Sequence, residues 1–506
     1  MMQHAPDIAE FTRAFEQGKP QVVSARLVAD LETPVSAMLK LARHEPMSFL
    51  LESVEGGAVR GRYSIIGMKP DIIWRTKDGH PEINRKALAA QDGPFTRIDT
   101  DPLTSLRALL AESRIELPET LPPMAAGVFG YIGYDMVRHM EKLPEPNPDM
   151  LGMPDSVLIR PTIMAIFDSV KDEVTLVTPV YPEAGLSAKA AYARASERLG
   201  AVIDALDRPL DHREPALPAF TTGEPRSNTT PDEYKAMVTA AKEYIAAGDI
   251  FQVVLSQRFE ADFALPPFSL YRALRRVNPS PFLYYLNFGD SAVIGSSPEI
   301  LVRVRDGKIS IRPIAGTRRR GATPAEDKAL AEELLADPKE RAEHLMLLDL
   351  GRNDAGRVAE IGSVKVTESF TLEFYSQVMH IVSNVEGKLS AKHDAIDALV
   401  AGFPAGTVSG APKVRAMEII DELEKHKRGV YAGCVGYFSA NGDMDTCIVL
   451  RTAIVKNGKM FVQAGAGVVA DSVPENEHQE CVNKAKALFR AAEEAARFAG
   501  QAGRGQ

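Results

Sequence analysis

Two runs in the second half of the chain have the form of β-hairpins, and hairpins restrict the fold more than any other feature of this sequence. ILVRV-RDG-KISIRPIAG turns at Asp306-Gly307, and TCIVLRTAIVK-NG-KMFVQAGAGVV turns at Asn457-Gly458. Asp-Gly and Asn-Gly are favoured in two-residue hairpin turns because both turn residues take positive φ. Strands that meet by hairpins, rather than by strand–helix–strand alternation, predict an α+β fold. We expect large antiparallel β-sheets packed against each other with helices on the outside.

Helix signals lie between these strands. The clearest begins at Thr230, where an N-cap threonine, a proline at the first helical position and Glu233 form a capping box, and Gly248 supplies the stop. The strand-like run IFQVVLSQRFEADF follows directly. Good helix formers predict further helices over 324–337, 339–349, 412–425 and 474–497.

A break in composition divides the chain into two parts. Residues 207–229 are rich in proline, threonine and charge and have no periodicity, which is typical of a linker. We therefore predict an N-terminal tail (1–20), an N-terminal domain (21–206), the linker (207–229), a second domain (230–495) and a C-terminal tail (496–506).

Charge and cysteine content exclude several classes of protein. The 506 residues carry a formal net charge of −9, whereas nucleic-acid binding needs a basic surface that displaces counterions. Three cysteines, Cys434, Cys447 and Cys481, do not make a disulfide framework and suit a reducing compartment. The N-terminus lacks the features of a signal peptide, and no run approaches the ~20 apolar residues of a spanning helix. The expectation is a cytoplasmic protein that binds neither nucleic acid nor membrane.

Three fragments imitate known sites without meeting their requirements. In GTVSGAPK, residues 406–413, a proline separates the glycine and the lysine of a phosphate loop. The run 465–467 lacks the third glycine of a dinucleotide site, yet its small residues still let a ligand approach the backbone. Cys434 is flanked by strand-like sequence, without a helix start to lower its pKa, and is interpreted as packed and inert. On this interpretation the chain has no glutaminase site of its own.

Acidic residues on two predicted helices are candidates for binding a hard cation. The helix over 339–349 carries Glu340 and Glu343, and the helix over 474–497 carries Glu475, Glu477 and Glu480. Magnesium prefers one or two carboxylates, several waters and an anionic group of the substrate. On spacing alone, solvated helix faces account for these acids better than a metal site does.

Many segments between Thr230 and Arg490 occur in the order of the motifs of a known family. They include GDIFQVVLSQRF, GSSPEILVR, RPIAGTRRRG, ERAEHLMLLDLGRND, YSQVMHIVS, FPAGTVSGAPKVRAM, YAGCVGYF, DTCIVLRTA and VQAGAGVVADSVPENEHQECVNKA. In these motifs the chain resembles the chorismate-utilising enzymes, which comprise the anthranilate, aminodeoxychorismate, isochorismate and salicylate synthases. At FLLESVEGG and GRYSIIG the N-terminal half resembles that of the anthranilate synthase large subunits.

The resemblance implies roles for individual residues. It implies Glu343 and Glu480 as ligands of Mg²⁺, which would hold the ring carboxylate of chorismate. It implies Glu299 as the general acid that protonates the departing ring hydroxyl. A structural role in its strand is the alternative for His380. The remaining implied positions are Tyr431 and Arg451 at the enolpyruvyl group, Gly316, Thr317, Gly465, Ala466 and Gly467 along the substrate, and His380, Thr407 and Lys484 as further active-site residues.

Two positions distinguish members of the family. Gln252 occupies the position at which the hydrating members carry a lysine base; a neutral amide cannot activate water, whereas ammonia needs no base. Ala315 stands where aminodeoxychorismate synthases typically have a lysine that is thought to bond covalently to the ring. Both favour attack of ammonia on C2 of chorismate and loss of pyruvate, which gives anthranilate. The alternatives are an aminodeoxychorismate synthase, an isochorismate synthase and a catalytically silent tryptophan-sensing or scaffold protein.

The resemblance also implies a regulator and a partner. In anthranilate synthases tryptophan binds near Leu-Leu-Glu-Ser and Asn-Pro-Ser-Pro, which are residues 50–53 and 278–281 here. We expect Glu52 to meet the ammonium group of the effector, although a plain core strand is the alternative for this run. Because the chain has no credible glutaminase thiol, ammonia would come from a separate glutamine amidotransferase subunit in a hetero-oligomer. The implied tryptophan site comprises Leu51, Glu52, Ser53, Pro281, Phe282, Leu283 and Cys447.

Overall fold

The computed structural model describes residues 4–55, 59–210, 223–375 and 378–499 of the chain. The central part of the predicted linker, 211–222, lies outside the described residues, as do the ends of both predicted tails, 1–3 and 500–506.

The helices and strands alternate irregularly along the chain. The helices are α1 (Ile8–Glu16), α2 (Pro34–Leu41), α3 (Pro102–Glu112), α4 (Ala188–Leu206), α5 (Pro231–Ala247), α6 (Pro267–Val277), α7 (Pro324–Ala336), α8 (Pro338–Gly356), α9 (Ala395–Gly402), α10 (Lys413–Leu423) and α11 (Pro474–Ala499). The strands of the first half are β1 (Gln21–Val28), β2 (Ser48–Glu55), β3 (Val59–Lys77), β4 (His80–Asn84), β5 (Thr96–Arg97), β6 (Gly127–Ile132), β7 (Ser156–Asp168) and β8 (Glu173–Val180). Those of the second half are β9 (Arg226–Ser227), β10 (Gln252–Asp262), β11 (Phe282–Asn287), β12 (Ser291–Ser297), β13 (Ile300–Arg305), β14 (Lys308–Ile311), β15 (Ile314–Arg319), β16 (Lys365–Phe374), β17 (Val378–Lys388), β18 (Gly410–Ala411), β19 (Cys434–Ser439), β20 (Met444–Ile448), β21 (Thr452–Lys456) and β22 (Lys459–Val468).

The local signals in the sequence produce the predicted elements. Both hairpins are confirmed: β13 pairs with β14 and β21 with β22, and Asn457 and Gly458 have φ of 52° and 72°. The capping box at the start of α5 is also confirmed, because the Thr230 hydroxyl accepts the Glu233 N–H and the Glu233 carboxylate accepts the Thr230 N–H. Helix α8 continues to Gly356, beyond its predicted end at 349, since one face of its second half is buried, with Gly351 against Ile311.

The strands form one antiparallel hydrogen-bonded network in two layers. Strands β3 and β7 pair along their length, and a bulge between Pro70 and Ile72 divides this pairing into two halves. One half continues through β2, β11, β12, β21 and β22 to β10, and through β8 to β1; we call this the first layer. The other half continues through β6, β19, β20, β13 and β14 to β17, which also pairs with β15 and β16; this is the second layer.

A hydrophobic core separates the two layers, and helices cover their outer faces. The inner core combines Phe49 and Tyr284 from the first layer with Phe129 and Tyr437 from the second. Outside the first layer, apolar residues of α1, α2, α4, α6 and α11 form another cluster, and outside the second layer those of α3, α8 and α9 do the same. This arrangement confirms the predicted α+β fold, in which large antiparallel sheets pack together with helices outside.

Strands from both halves of the sequence pair directly. Strand β2 pairs with β11, and β6 pairs with β19, so hydrogen bonds join residues 21–206 to residues 230–495. The division into two domains therefore stays a proposal. Within the four described ranges, no helix combines the length and the apolar character that crossing a membrane requires.

The single tryptophan provides a test of this core. Trp74 is fully buried, and its indole N–H donates to the Ser105 hydroxyl of α3 at 2.9 Å. We predict that Ser105→Ala lowers the free energy of unfolding by about 1–3 kcal/mol, because it leaves a buried donor unpaired. Denaturant unfolding followed by Trp74 fluorescence measures this change. Ala108→Ser exchanges the same residue types at an exposed position of α3 and should cost clearly less; equal losses in the two variants would show that the hydrogen bond contributes nothing.

Candidate active site

Glu299 is a buried carboxyl group in the turn between β12 and β13. Its Oε1 accepts the Thr407 hydroxyl at 2.8 Å and the Ile314 N–H at 3.4 Å. Burial raises the pKa of Glu299 to about 8, although these two hydrogen bonds and the charge of Arg451 each lower it. Glu299 therefore holds its proton at neutral pH, as a general acid requires.

His380 lies on β17, opposite an irregularity in β15. Gly316 has φ of 80° and interrupts the pairing of β15 with β17. The His380 Nδ1 consequently lies 2.9 Å from the Thr317 hydroxyl and 3.3 Å from the Gly316 carbonyl oxygen. Burial lowers the pKa of His380 to about 4, and the charge of Arg451 contributes to the same shift. The ring is neutral, and its buried Nε2 has no hydrogen-bond partner among the described residues.

Arg451 is a half-buried side chain beside these groups, and Tyr431 is a buried one next to Gly465. Burial lowers the pKa of Arg451, whose charge in turn acts on both Glu299 and His380. The Tyr431 hydroxyl lies 2.9 Å from the position that a Cβ on Gly465 would occupy, so a side chain at 465 would displace it. Ala466, by contrast, directs its side chain into the core with Leu255, so that only its backbone is available to a ligand.

Gln252 connects the glycines of β22 to helix α8. Its Nε2 donates to the Glu343 carboxylate at 3.2 Å and lies 2.5 Å from the position of a Cβ on Gly467. Its Oε1 is buried and has no hydrogen-bond partner within the described part of the chain. This amide therefore has one unpaired acceptor, and it fills the space left by the missing side chain of Gly467.

Glu343 and Glu480 lie close enough to interact. Burial raises the pKa of Glu343, and the charges of Glu340 and Glu480 raise it further. Lys484 pairs with Glu480 at 2.6 Å and donates to the Gly465 carbonyl oxygen at 2.9 Å, which ties α11 to β22. Both partners of this pair are about half exposed, with side-chain exposures of 48% for Lys484 and 47% for Glu480. Both carboxylates thus lie near β22, Glu343 through Gln252 beside Gly467 and Glu480 through Lys484 beside Gly465.

Protein side chains alone do not complete a metal site here. Among the described residues, no three His, Cys, Asp or Glu side chains are grouped so as to hold a metal ion. Glu343 and Glu480 nevertheless fit Mg²⁺, which commonly takes one or two protein carboxylates and fills its other positions with water and substrate oxygens.

The residues of the implied tryptophan site line one cavity of about 1000 Å³ between the two layers. We call it the inter-sheet cavity. Glu52 lies in its wall, but its carboxylate already accepts Arg275 at 2.6 and 2.9 Å and the Tyr271 hydroxyl at 2.5 Å. A contact between Glu52 and an ammonium group therefore stays a proposal. The predicted residues brought together there are Leu51, Glu52, Ser53, Pro281, Phe282, Leu283 and Cys447.

The sequence analysis missed a buried ion pair beneath the site. Arg428 and Glu424 pair at 2.6 Å with side-chain exposures of 1% and 4%. Arg428 also donates to the carbonyl oxygens of Val408 and Val254, the neighbours of the Thr407 turn and of the Gln252 strand. Its guanidinium lies 5.6 Å from the Tyr431 ring centre. In the sequence, Arg428 is visible only as an arginine three residues before the YAGCVGYF motif. The carbonyl groups that it binds are too remote in sequence to indicate its role.

Cys434 has the environment expected of an inert thiol. It begins β19, it is 2% exposed, and burial raises its pKa to about 12. A thiol that stays protonated in a packed strand is a poor nucleophile.

Comparison with known proteins identifies the family. Over residues 69–490 the sequence matches a family described as chorismate binding enzyme.

The chain belongs to the chorismate-binding enzyme family.

Its relatives agree with the resemblance found in the motifs. The chain is 61% identical to anthranilate synthase component 1 from Cereibacter sphaeroides, across 98% of this chain and 99% of that protein. The crystal structure of anthranilate synthase component I from Streptococcus pneumoniae is similar with a TM-score of 0.75 and 39% identity, covering 92% of this chain and 99% of that one. The menaquinone-specific isochorismate synthase MenF from Escherichia coli, with a TM-score of 0.68 and 21% identity over 96% of this chain and 98% of its own, shares the fold.

The buried Glu299 of this chorismate-binding enzyme should make the stability of the fold depend on pH. The pKa of Glu299 is about 8 in the folded protein against an ordinary value of 4.5. The folded state therefore binds this proton more tightly than the unfolded chain does. As the pH rises from about 4.5 to about 8, the contribution of Glu299 to the free energy of unfolding is lost. Glu299→Gln removes this titration. The variant should match the wild type near pH 4.5 and gain stability over it by up to about 1.4 kcal/mol per pH unit above that.

Denaturant unfolding across this pH range, followed by Trp74 fluorescence, measures the difference. Glu197→Gln, which alters an exposed carboxylate on α4, is the matched control and should show no such trend. A difference between Glu299→Gln and the wild type that does not change with pH would contradict the raised pKa.

Proposed function

We propose that the chain is the large subunit of anthranilate synthase, a carbon–oxygen lyase that converts chorismate and ammonia to anthranilate, pyruvate and water at the start of tryptophan biosynthesis. The observation that carries the proposal is the protonated Glu299 beside Arg451 and the neutral His380. Relatives named anthranilate synthase component 1, at up to 61% identity, support it.

Glu299 supplies the proton for the leaving group. Hydroxide is a poor leaving group, so the ring hydroxyl of chorismate departs as water only if an acid protonates it. With a pKa of about 8, Glu299 is protonated at neutral pH and still acidic enough to give up its proton. The Thr407 hydroxyl stabilises the carboxylate that remains.

Arg451 and Tyr431 hold the enolpyruvyl group. A guanidinium can donate two parallel hydrogen bonds to a carboxylate, which fixes its orientation as well as neutralising its charge. Arg451 is half-buried, so this contact would become stronger as the bound substrate excludes water from it. Tyr431 packs against Gly465, where a Cβ would come within 2.9 Å of its hydroxyl, so the glycine keeps this hydroxyl in place.

Gln252 positions ammonia. Its Nε2 is committed to Glu343, whereas its buried Oε1 can accept a hydrogen bond from the N–H of ammonia. Ammonia carries its own lone pair and attacks C2 without a base, and an amide cannot generate hydroxide from water. The methyl group of Ala315 cannot form the covalent adduct attributed to aminodeoxychorismate synthases.

His380 accepts the proton that the ring must lose. After ammonia has added, aromatisation requires loss of the C2 proton and of pyruvate. The neutral imidazole has a free Nε2, while its Nδ1 is held by Gly316 and Thr317. A ring held on one nitrogen and free on the other suits a base of fixed orientation.

Glu343 and Glu480 are the residues that would hold Mg²⁺. When bound, the ion would offset the negative charge of the substrate's ring carboxylate. The charges of Glu340 and Glu480 add to the effect of burial in raising the pKa of Glu343. Three neighbouring carboxylates favour a cation at this place. Gln252 orients the Glu343 carboxylate through its Nε2–H.

Ammonia would come from a glutamine amidotransferase subunit, component 2, in a hetero-oligomer. Cys434 is buried with a raised pKa and offers no glutaminase nucleophile. Tryptophan would act as the feedback inhibitor in the inter-sheet cavity, whose lining includes the segments expected to bind it.

Turnover by the purified chain tests the proposal. With chorismate, Mg²⁺ and ammonium salt at alkaline pH we expect anthranilate fluorescence, and no product when glutamine replaces ammonium. Glu299→Gln should lower kcat by about 10²–10⁴-fold, the usual contribution of a general acid. Glu197→Gln is the control and should retain full activity. Formation of isochorismate or aminodeoxychorismate instead of anthranilate would reject the assignment.

The metal requirement is tested separately. Glu343→Gln and Glu480→Gln should each raise the Mg²⁺ concentration for half-maximal activity by about tenfold or more, since each removes a charged ligand. Asp349→Asn removes an exposed carboxylate from the same helix as Glu343 and should leave the requirement unchanged. Unchanged Mg²⁺ titrations in both glutamine variants would exclude these two residues as ligands.

A further inference from the structure

Tyr375 stands in the wall between the inter-sheet cavity and the active site. It lines the cavity, and its ring meets the His380 ring edge-on, with centroids 5.5 Å apart and an interplanar angle of 61°. It also interacts electrostatically with Arg451. The side chain is only 7% exposed, so it cannot leave this position without repacking its neighbours.

A chain of polar contacts connects Tyr375 to the cavity. Its hydroxyl donates to the Glu373 carboxylate at 2.5 Å, and the other oxygen of Glu373 pairs with Arg312 at 2.6 Å. Glu373 and Arg312 both line the cavity. Arg312 has a buried Nε–H without a hydrogen-bond partner in the described ranges. The arginine therefore has one unused donor, besides the N–H group that it shares between Glu373 and Glu368, the latter at 3.1 Å.

The register of the sheet brings this chain to the catalytic histidine. In the pairing of β16 with β17, Glu373 lies directly opposite His380. The Tyr375 N–H closes the same hairpin on the Val378 carbonyl oxygen at 2.8 Å. A displacement of Glu373 or Tyr375 would therefore act on His380 through both backbone and ring.

We infer that Tyr375 is a positioning residue that holds His380 in place for catalysis and transmits occupancy of the inter-sheet cavity to it through Glu373 and Arg312. The inference rests on the proposed function and names the route of its regulation. A ligand carboxylate, such as that of an amino acid, competes with Glu373 for the guanidinium of Arg312. Glu373 then loses its ion pair with Arg312. The hydrogen bond from the Tyr375 hydroxyl to Glu373, which we call the tether, changes as a result. The ligand favours the displaced arrangement only because it binds that arrangement more tightly.

A matched set of variants of the full chain separates the two roles. Tyr375→Phe removes the tether but keeps the ring, Glu373→Gln keeps the size of the side chain but removes its charge, and Tyr375→Leu removes the ring against His380. Tyr63→Phe is the control, because Tyr63 lines the same cavity with its ring against Arg62. For each, kcat and KM for chorismate are measured with ammonium as nitrogen source, residual activity at saturating tryptophan is recorded, and tryptophan binding is followed by calorimetry.

Tyr375→Phe and Glu373→Gln should keep kcat within about threefold of wild type and still bind tryptophan. Their residual activity at saturating tryptophan should rise by about fivefold or more, which is the low end of typical allosteric coupling. Tyr375→Leu should lower kcat by about tenfold or more with little change in KM, and phenylalanine at the same position should restore it. Tyr63→Phe should stay fully inhibited.

Complete inhibition of both Tyr375→Phe and Glu373→Gln would overturn the proposal that Tyr375 transmits occupancy of the cavity to His380. An equal loss of inhibition in Tyr63→Phe would also overturn it. So would a wild-type chain that tryptophan does not inhibit. Wild-type kcat in Tyr375→Leu would overturn the positioning role. A wild-type chain that forms no anthranilate is a different result, because it rejects the proposed function itself.

Discussion

Withdrawal of Glu299 from water is the constraint on which the rest of the site depends. The Thr407 hydroxyl, the Ile314 N–H and the charge of Arg451 all stabilise the ionised carboxylate, yet the pKa rises from 4.5 to about 8. Burial therefore outweighs these three contributions together. That burial exists because the turn between β12 and β13 is enclosed by β15, by the Thr407 turn and by β20, whose Ile448 N–H donates to the Glu299 carbonyl oxygen. A flat, single-layer sheet would leave the same residue in water with an ordinary pKa.

The pairing of β10 with β22 brings the other half of the site to this acid. Gln252 at the start of β10 pairs with Ala411, and Val254 lies opposite Gly467. The absence of a side chain on Gly467 lets the Gln252 amide cross the strand and reach Glu343 on α8. The cost of this arrangement is a set of neighbouring like charges and an unpaired amide oxygen, which a stable core would avoid. Such groups persist where a ligand satisfies them, and they mark the site more clearly than any single motif does.

The features that could be predicted from the sequence are those that depend on neighbouring residues alone. Hairpin turns, the capping box at Thr230 and the stop at Gly248 depend on residues within one turn, so reading them required no knowledge of the fold. Residues 299, 343 and 480 entered through family motifs, because nothing in their spacing distinguishes them from solvated acids. Arg428 and Tyr375 were missed as functional positions since their partners, such as the Val254 carbonyl and His380, depend on how distant strands meet. For the same reason the sequence could not show that Glu52 meets Arg275 of α6.

The inter-sheet cavity lies directly beside the turn that carries Glu299, the proposed general acid. Pro298 and Ile300 line the inter-sheet cavity, whereas Glu299 between them turns to the active site, and Ile314 lines the cavity while its N–H holds the Glu299 carboxyl group. A ligand in the cavity thus contacts the immediate neighbours of the acid on both strands that support it. The proposed control of catalysis from this cavity would require only a small displacement of a shared wall, because a packed interior transmits strain rather than absorbing it.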